Sequence, residues 1–302
     1  MKHLLKMTDL TKQEVLKILN VADQMKFNLT HGLEHETLKG RNLAMIFNKS
    51  STRTRVSFEV GIAQLGGHGL FLNSNDIQLG RGETIEDTAK VLSRYVDGIM
   101  IRTFKQSDVE ELAKYAGVPV INALTDDEHP CQVLADLMTI REYRSSLQGL
   151  TVAWVGDGNN VCNSLIAGAL LCDMKIKAAT PKGYEPARYI RDYAGQRLSL
   201  TNDPREAVAG ADVVFTDVWA SMGQETEAAA RLKAFEGFQL NAELMKLAKP
   251  DVMVQHCLPA HRGEEITADV FDAHAEQIYD EAENRLHVQK AIMTLLMGEE
   301  PV

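Results

Sequence analysis

Arg53 and Arg55 stand in the run Ser51-Thr52-Arg53-Thr54-Arg55, directly behind the apolar stretch at 43–47 and at what reads as the first turn of a helix. A helix N-terminus already carries partial positive charge, so cations there are unfavourable by a few tenths of a kcal/mol or more. Two hydroxyls and the free backbone amides of a helix start lie beside these guanidinium groups. The combination asks for a bound anion, and phosphate suits it best. An exposed helix start with solvated arginines is the plain alternative. Four other stretches hold residues of chemical use. Residues 74–84, with Gln78, form a polar, glycine-flanked loop that on its own reads as surface. Arg102 closes the apolar run at 98–102. His129 caps a helix that opens at Pro130, and Gln132 lies in its first turn, so His129 could reach a carbonyl or phosphate oxygen and Gln132 could orient an amide. Cys257 follows another apolar run at 252–255, and the Leu258-Pro259 bond after it is a candidate for cis geometry.

These residues need a scaffold that brings strand ends together. Thr11, with Glu14 three places on, opens a helix whose apolar face is Val15, Ile18, Leu19 and Ala22. Short apolar runs at 43–47, 69–73, 98–102 and 118–124 read as strands. Between them lie helical patterns, one carrying Val56, Val60, Ile62, Ala63 and Leu65, another spanning 84–96. Pro130 begins a helix to about Tyr143, in the one position where a missing N–H costs nothing. A second series follows, with strands at about 150–155, 211–218 and 252–258, helices between them, and a long helix over 281–297. Strands alternating with helices predict an α/β protein of two doubly wound parallel-sheet domains linked by long helices. The predicted domains are 1–145, with the C-terminal helix at about 280–302 packing back on it, and 146–280. In such sheets ligands lie beyond the carboxyl ends of the strands, where the five stretches fall.

The chain has 302 residues, beyond the usual size of one domain, with 45% hydrophobic and 25% charged residues. A net charge of −10 and a pI near 5.4 exclude a general nucleic-acid surface. No run of 18 apolar residues and no leader pattern occurs, so a cytoplasmic protein without a membrane partner is expected. Cys131, Cys162, Cys172 and Cys257 have no close paired spacing, which points to free thiols in a reducing compartment, and no metal-ligand cluster is legible. Gly156 and Gly158 imitate the start of a dinucleotide fingerprint, but Val161 occupies the third glycine position.

Taken in order, "SSTRTR", "NDIQLGRGET", "HPCQ", "GDGNN", "DVWASMGQE", "HCLPAHRGEEI" and "EAENRLHVQKA" resemble the aspartate/ornithine carbamoyltransferase family over nearly the whole chain. The stretch from Asp217 to Gly223 and the Cys257-Leu258-Pro259 run resemble its ornithine branch. Cys131 stands where relatives often carry threonine. The resemblance implies transfer of the carbamoyl group of carbamoyl phosphate to the δ-amine of L-ornithine, without cofactor or metal, in a homotrimer or a multiple of it with shared active sites. Ser51, Thr52, Arg53, Thr54, Arg55, Gln78, Arg102, His129, Gln132, Cys257, Leu258 and Arg285 would bind carbamoyl phosphate, Gln78 reaching a neighbouring subunit. Asn160, Asp217, Ser221 and Met222 would hold ornithine, Arg102, His129 and Cys257 would be the catalytic groups, and residues 222–238 would form a lid. Putrescine or an N-acylated ornithine as acceptor, and a nicotinamide-dependent dehydrogenase, are the competing readings.

Overall fold

The computed structural model describes residues 1–73, 82–220 and 227–298, and the chain divides into two compact units. The first comprises Met1–Met138 and Glu283–Val302, the second Thr139–Ala282. Unit 1 begins with α1 (Lys12–Thr30), β1 (Asn42–Phe47), α2 (Thr52–Gln64) and β2 (His68–Asn73). It continues through α3 (Ile85–Leu92), β3 (Gly98–Arg102), α4 (Gln106–Tyr115), β4 (Val120–Leu124) and the start of α5 (Pro130–Arg144). The entry to α1 is a complete capping box between Thr11 and Glu14, and Val15, Ile18, Leu19 and Ala22 are buried as the periodicity predicts.

The four strands are all parallel, in the order β2-β1-β3-β4. Because the chain returns past β1 on its way from β2 to β3, the connections leaving β1 and β3 part in opposite directions. Phe47 pairs with Arg102 at that point, so the two strand ends are side by side. The Asn48 N–H donates to the Arg102 carbonyl at 2.8 Å and the Asn48 amide donates to Thr103 Oγ1 at 2.8 Å, which ties the two departing loops together.

The apolar pattern of 56–65 forms α2, with its apolar residues on more than one face. Its buried side chains are Thr54, Phe58 and Ile62, with Leu65 at the C-cap, whereas Val56 and Val60 are 51% and 40% exposed. The helical period admits both faces, and the contact with α12 (Ala275–Met297) decides between them. A Cβ on Gly61 would stand 3.2 Å from Met293 Cε and 3.3 Å from Lys290 Cγ, so glycine lets the two helices approach.

Unit 2 contains β5 (Thr151–Val155), α6 (Asn160–Leu171), β6 (Lys175–Ala179), α7 (Arg188–Ala194), β7 (Leu198–Thr201) and α8 (Pro204–Val208). Then follow β8 (Val213–Phe215), α9 (Ala228–Ala234), α10 (Ala242–Met245), β9 (Met253–Gln255), α11 (Ala268–Ala273) and the first part of α12. Its sheet is parallel in the order β7-β6-β5-β8-β9, with the reversal between β5 and β8. The short, partly polar β6 and β7 escaped the sequence reading, which looks for apolar runs. β8 and β9 are shorter than their apolar runs, because 216–218 and 256–258 leave the ladder to form loops.

α12 carries several buried polar groups. His287 Nε2 lies 3.2 Å from Glu283 Oε1, while its Nδ1 is buried without a hydrogen-bond partner among the described residues. Burial pushes this imidazole down to about 4, against the opposing pull of Glu283. The ring is therefore neutral in the fold but takes up a proton near 6.5 when the chain unfolds, so the unfolded state binds more protons between those values. This contribution is complete above pH ~6.5 and declines as pH falls toward 4. Denaturant unfolding at pH 7 and pH 5 should show stability falling by about 1 kcal/mol from this group on acidification, and His287→Gln should shrink the fall.

Candidate functional site

In unit 1 the loop after β1 turns directly into α2. Ser51 caps the helix by accepting from the Thr54 N–H at 3.1 Å. That places Thr52 and Arg53 on the surface and Thr54 in the interior, where it is 1% exposed. Thr54 Oγ1 accepts from Arg285 Nη2 at 3.2 Å, and Arg285 Nη1 donates to Gln132 Oε1 at 2.6 Å. Gln132 passes the order on by donating to Asp136 Oδ1 at 2.8 Å. Gln289, with its amide turned so that the oxygen faces the guanidinium, accepts from Arg285 Nε at 3.2 Å and from Nη2 at 3.0 Å. Arg285 is thus clamped by α2, α5 and its own helix.

Arg102, His129, Gln132 and Arg285 are all buried with Thr54. His129 is held well below its ordinary range, first by burial and then by the fields of Arg285, Arg102 and Arg53. It is a neutral imidazole among cations, able to donate one hydrogen bond without adding charge. Such a pocket fits a dianion with a neighbouring carbonyl: the guanidinium groups match the negative charge, and neutral donors suit the carbonyl oxygen.

Arg55 does not join this group. It is exposed, its Nε donates to Glu59 Oε2 at 3.2 Å, and its guanidinium lies 3.7 Å over the ring of Phe71. Helical geometry explains it, since Arg53 and Arg55 are about 200° apart around α2 and cannot serve one ligand equally. Cys131 lies in the first turn of α5, beside His129 and Gln132, but burial pushes its thiol up to about 12 and it donates to the Asn122 carbonyl. Gln78 lies outside the described residues.

In unit 2 the reversal between β5 and β8 brings the 156–160 loop beside Asp217. Asn159 caps α6 by accepting from the Val161 and Cys162 amides, and its Nδ2 donates to Asp217 Oδ2 at 2.7 Å. The other carboxylate oxygen accepts from the Val218 N–H at 2.8 Å and from Cys257 Sγ at 3.2 Å. The part-exposed Cys257 thus meets a buried carboxylate oriented on both sides. Asn160, half-buried, begins α6 next to this group. Leu258 has a φ of 58° and the Leu258–Pro259 bond is cis. Ser221 and Met222 lie outside the described residues.

Of the expected lid, Arg231, Phe235 and Phe238 are buried in unit 2. Phe235 and Phe238 belong to the unit 2 core. Arg231 Nη1 bonds Asp157 Oδ2 at 2.7 Å and the Trp219 carbonyl at 2.9 Å. The glycine pair that imitates a dinucleotide site serves the fold instead. A Cβ on Gly158 would lie 2.3 Å from the Pro186 nitrogen and 2.4 Å from the Glu185 carbonyl carbon. The backbone of 184–186 fills the place where a pyrophosphate would approach.

Among the described residues, two groups have ligand atoms within 4.8 Å of one another, Asp217–His256–Cys257 and His261–Glu264–Glu265. Neither was legible as a cluster, since Asp217 lies far along the chain from the others and the remaining spacings follow no metal motif. Asn159, Asp136, Gln289 and His256, which bond to residues expected at the site, do not stand out in the sequence. An amide or imidazole of this kind carries no signal until its partner is known.

Residues 2–142 match the family model described as "aspartate/ornithine carbamoyltransferase, carbamoyl-P binding domain", and residues 148–296 match its Asp/Orn binding domain. The chain is 59% identical to an ornithine carbamoyltransferase of Carboxydothermus hydrogenoformans, with 98% of each chain covered. It is 55% identical to the one from Archaeoglobus fulgidus, with 99% of each covered. Among solved structures, the ornithine carbamoyltransferase from Pyrococcus furiosus superposes with a TM-score of 0.94 at 53% identity, covering 98% of this chain and 97% of that one. An anabolic ornithine carbamoyltransferase from Campylobacter jejuni gives 0.92 at 43%, covering 98% and 99%.

The cationic pocket of unit 1 carries its own test. Inorganic phosphate should raise the thermal midpoint of the protein, and Arg102→Gln should weaken that binding by roughly tenfold or more, as expected when a charge-assisted hydrogen bond is lost. Differential scanning fluorimetry across a phosphate titration reads both.

Proposed function

The chain belongs to the aspartate/ornithine carbamoyltransferase family, and from that footing we propose that it transfers the carbamoyl group of carbamoyl phosphate to the δ-amine of L-ornithine, giving L-citrulline and phosphate. The observation that carries the choice of acceptor is the Asp217 carboxylate, buried and held by Asn159, Val218 and Cys257. A second carboxylate such as the side chain of aspartate is repelled there, whereas an ammonium group is attracted. The full-length relatives described as ornithine carbamoyltransferases support the same reading.

Unit 1 is the carbamoyl-phosphate unit in this reading. Ser51, Thr52, Arg53 and Thr54, at the positive N-terminal end of α2, bind the phosphate together with Arg102, while Arg55 supports the helix from outside. Thr54 accepts from Arg285 and so keeps its own hydroxyl proton for the carbonyl oxygen. His129 donates to the same oxygen as a neutral imidazole, and Gln132 orients the carbamoyl amide. Negative charge grows on the leaving phosphate, so the guanidinium groups hold the transition state more tightly than the substrate. An alkyl ammonium loses its proton near 10.4 in water. The cationic field that depresses His129 acts likewise on an ammonium brought to the carbonyl, and favours the neutral, attacking amine.

Unit 2 is the ornithine unit, with Asn160, Asp217, Ser221 and Met222 on the α-amino and α-carboxylate groups, and Cys257 and Leu258 oriented toward the reacting amine. Cys257 orients rather than attacks. Gln78 completes the phosphate site of a neighbouring subunit in a homotrimer. Exposed Val56 and Val60 on α2, and Leu70 on the edge strand β2, supply apolar surface for that contact. Cytoplasmic citrulline synthesis for arginine is the setting that suits the reaction and the four free cysteines.

Purified protein supplied with carbamoyl phosphate should form citrulline from L-ornithine, and at least 100-fold less carbamoylated product from putrescine, N-acetylornithine or L-aspartate. Equal or faster turnover of putrescine would remove the role given to the α-carboxylate and α-ammonium. Replacing both Val56 and Val60 by glutamate should turn a trimer into monomer on analytical ultracentrifugation, with loss of turnover through the shared site.

A further inference from the structure

β9 ends at Gln255, and the next three residues carry the segment that presents Cys257. His256 is 1% exposed, and both of its ring nitrogens are engaged. Nδ1 accepts from the Leu258 N–H at 2.9 Å, so the ring proton sits on Nε2 and is donated to Glu265 Oε1 at 3.0 Å. The same carboxylate oxygen accepts from the His261 N–H at 2.6 Å, and the His256 N–H donates to Glu281 Oε2 at 2.9 Å. Buried Glu265 therefore fixes both the ring of His256 and the backbone five residues on, while Glu281 fixes the entry to the segment. Leu258, between these points, holds a left-handed φ of 58°, a conformation that costs on the order of 1 kcal/mol for a residue with a branched side chain. The imidazole is what its amide bonds to in that conformation.

We propose that His256 is a positioning residue for the amino-acid half of the reaction. As a neutral strut from Glu265 to the Leu258 amide, it sets the backbone of Leu258 and so keeps the Cys257 thiol on Asp217. It acts through Leu258 and Cys257 and does not move a proton itself. Taking a proton from Cys257 would need the Nδ1 lone pair that already accepts from Leu258, and would break the bond that shapes the loop. A misplacement of about 1 Å at such a site can cost a hundredfold in rate, so the strut matters for turnover although it touches no substrate. The inference deepens the ornithine reading and rests on it.

The test compares the full-length wild type with His256→Ala, His256→Gln, His256→Asn and Glu265→Gln. Asparagine places an acceptor near the position of Nδ1 and so retains the Leu258 bond, whereas glutamine mimics Nε2 and loses it. Two readouts are taken: KM and kcat for both substrates, and the rate at which iodoacetamide alkylates Cys257, followed by peptide mass spectrometry. The expected result is a tenfold or greater rise in the ornithine KM or fall in kcat for His256→Ala and His256→Gln. The carbamoyl phosphate KM should stay within twofold of wild type, and the Cys257 alkylation rate should change at least threefold. His256→Asn should return both readouts to within about threefold of wild type. Glu265→Gln, whose amide oxygen still accepts from Nε2, should keep most activity, whereas a proton relay through an imidazolium–carboxylate pair would lose it.

Equal impairment of His256→Asn and His256→Ala would overturn the proposal, as would an equal rise in both KM values. Inactivity of Glu265→Gln in a folded protein would do the same in favour of the relay. If the alanine variant does not fold, the asparagine and Glu265→Gln variants still decide. A wild type that carbamoylates no ornithine, while the alkylation pattern across the variants holds, would refute the ornithine reading and leave the strut standing.

Discussion

A parallel sheet buries its strands on both faces, so side chains can converge on a ligand only where consecutive connections leave the sheet in opposite directions. This chain has two such places, between β1 and β3 and between β5 and β8. The functional groups gather around both. Ser51 and Thr54 come from the loop and helix after β1, and Arg102 from the end of β3. Asn159 comes from the turn after β5, and Asp217 from just beyond β8. Without the reversal, right-handed crossovers would carry both connections over the same face, and no crevice would open between the strand ends.

Within unit 1 the constraint is electrostatic. Two guanidinium groups, Arg102 and Arg285, are nearly removed from water, which is unfavourable unless their donors are satisfied. Thr54, Gln132 and Gln289 are three neutral acceptors for Arg285. No carboxylate among these partners cancels its charge, and the field remains to act on His129. A salt-bridged arginine would be more comfortable in the fold and less useful toward an anion.

Unit 2 solves the reverse problem. It holds a carboxylate, Asp217, in a nearly buried place by means of an amide, a backbone N–H and a thiol, none of them cationic. None of these partners cancels its negative charge. Arg231, the strong cation nearby in sequence, is bound instead to Asp157 and the Trp219 carbonyl, on the helix that follows 221–226. Unit 1 thus buries guanidinium groups where unit 2 buries a carboxylate held by neutral donors.

The sequence by itself determined what neighbours within a few residues decide. The Thr11–Glu14 capping box, proline at the start of α5 and the apolar strand runs were legible because capping and periodicity are local forces. So were the residue types able to bind an anion, and their order along the chain was enough to show a family resemblance. Only the tertiary structure decided which of those residues meet. It turned Arg55 outward onto Phe71, exposed Val56 and Val60 where periodicity allowed either face, and filled the space over Gly158 with backbone. It also joined Arg285 to Thr54 across 231 positions and Cys257 to Asp217 across 40. The reason is physical: a hydrogen bond depends on distances of a few tenths of an ångström, and for partners so far apart in sequence those distances are set by the packing of the sheet and helices between them, which no local pattern encodes.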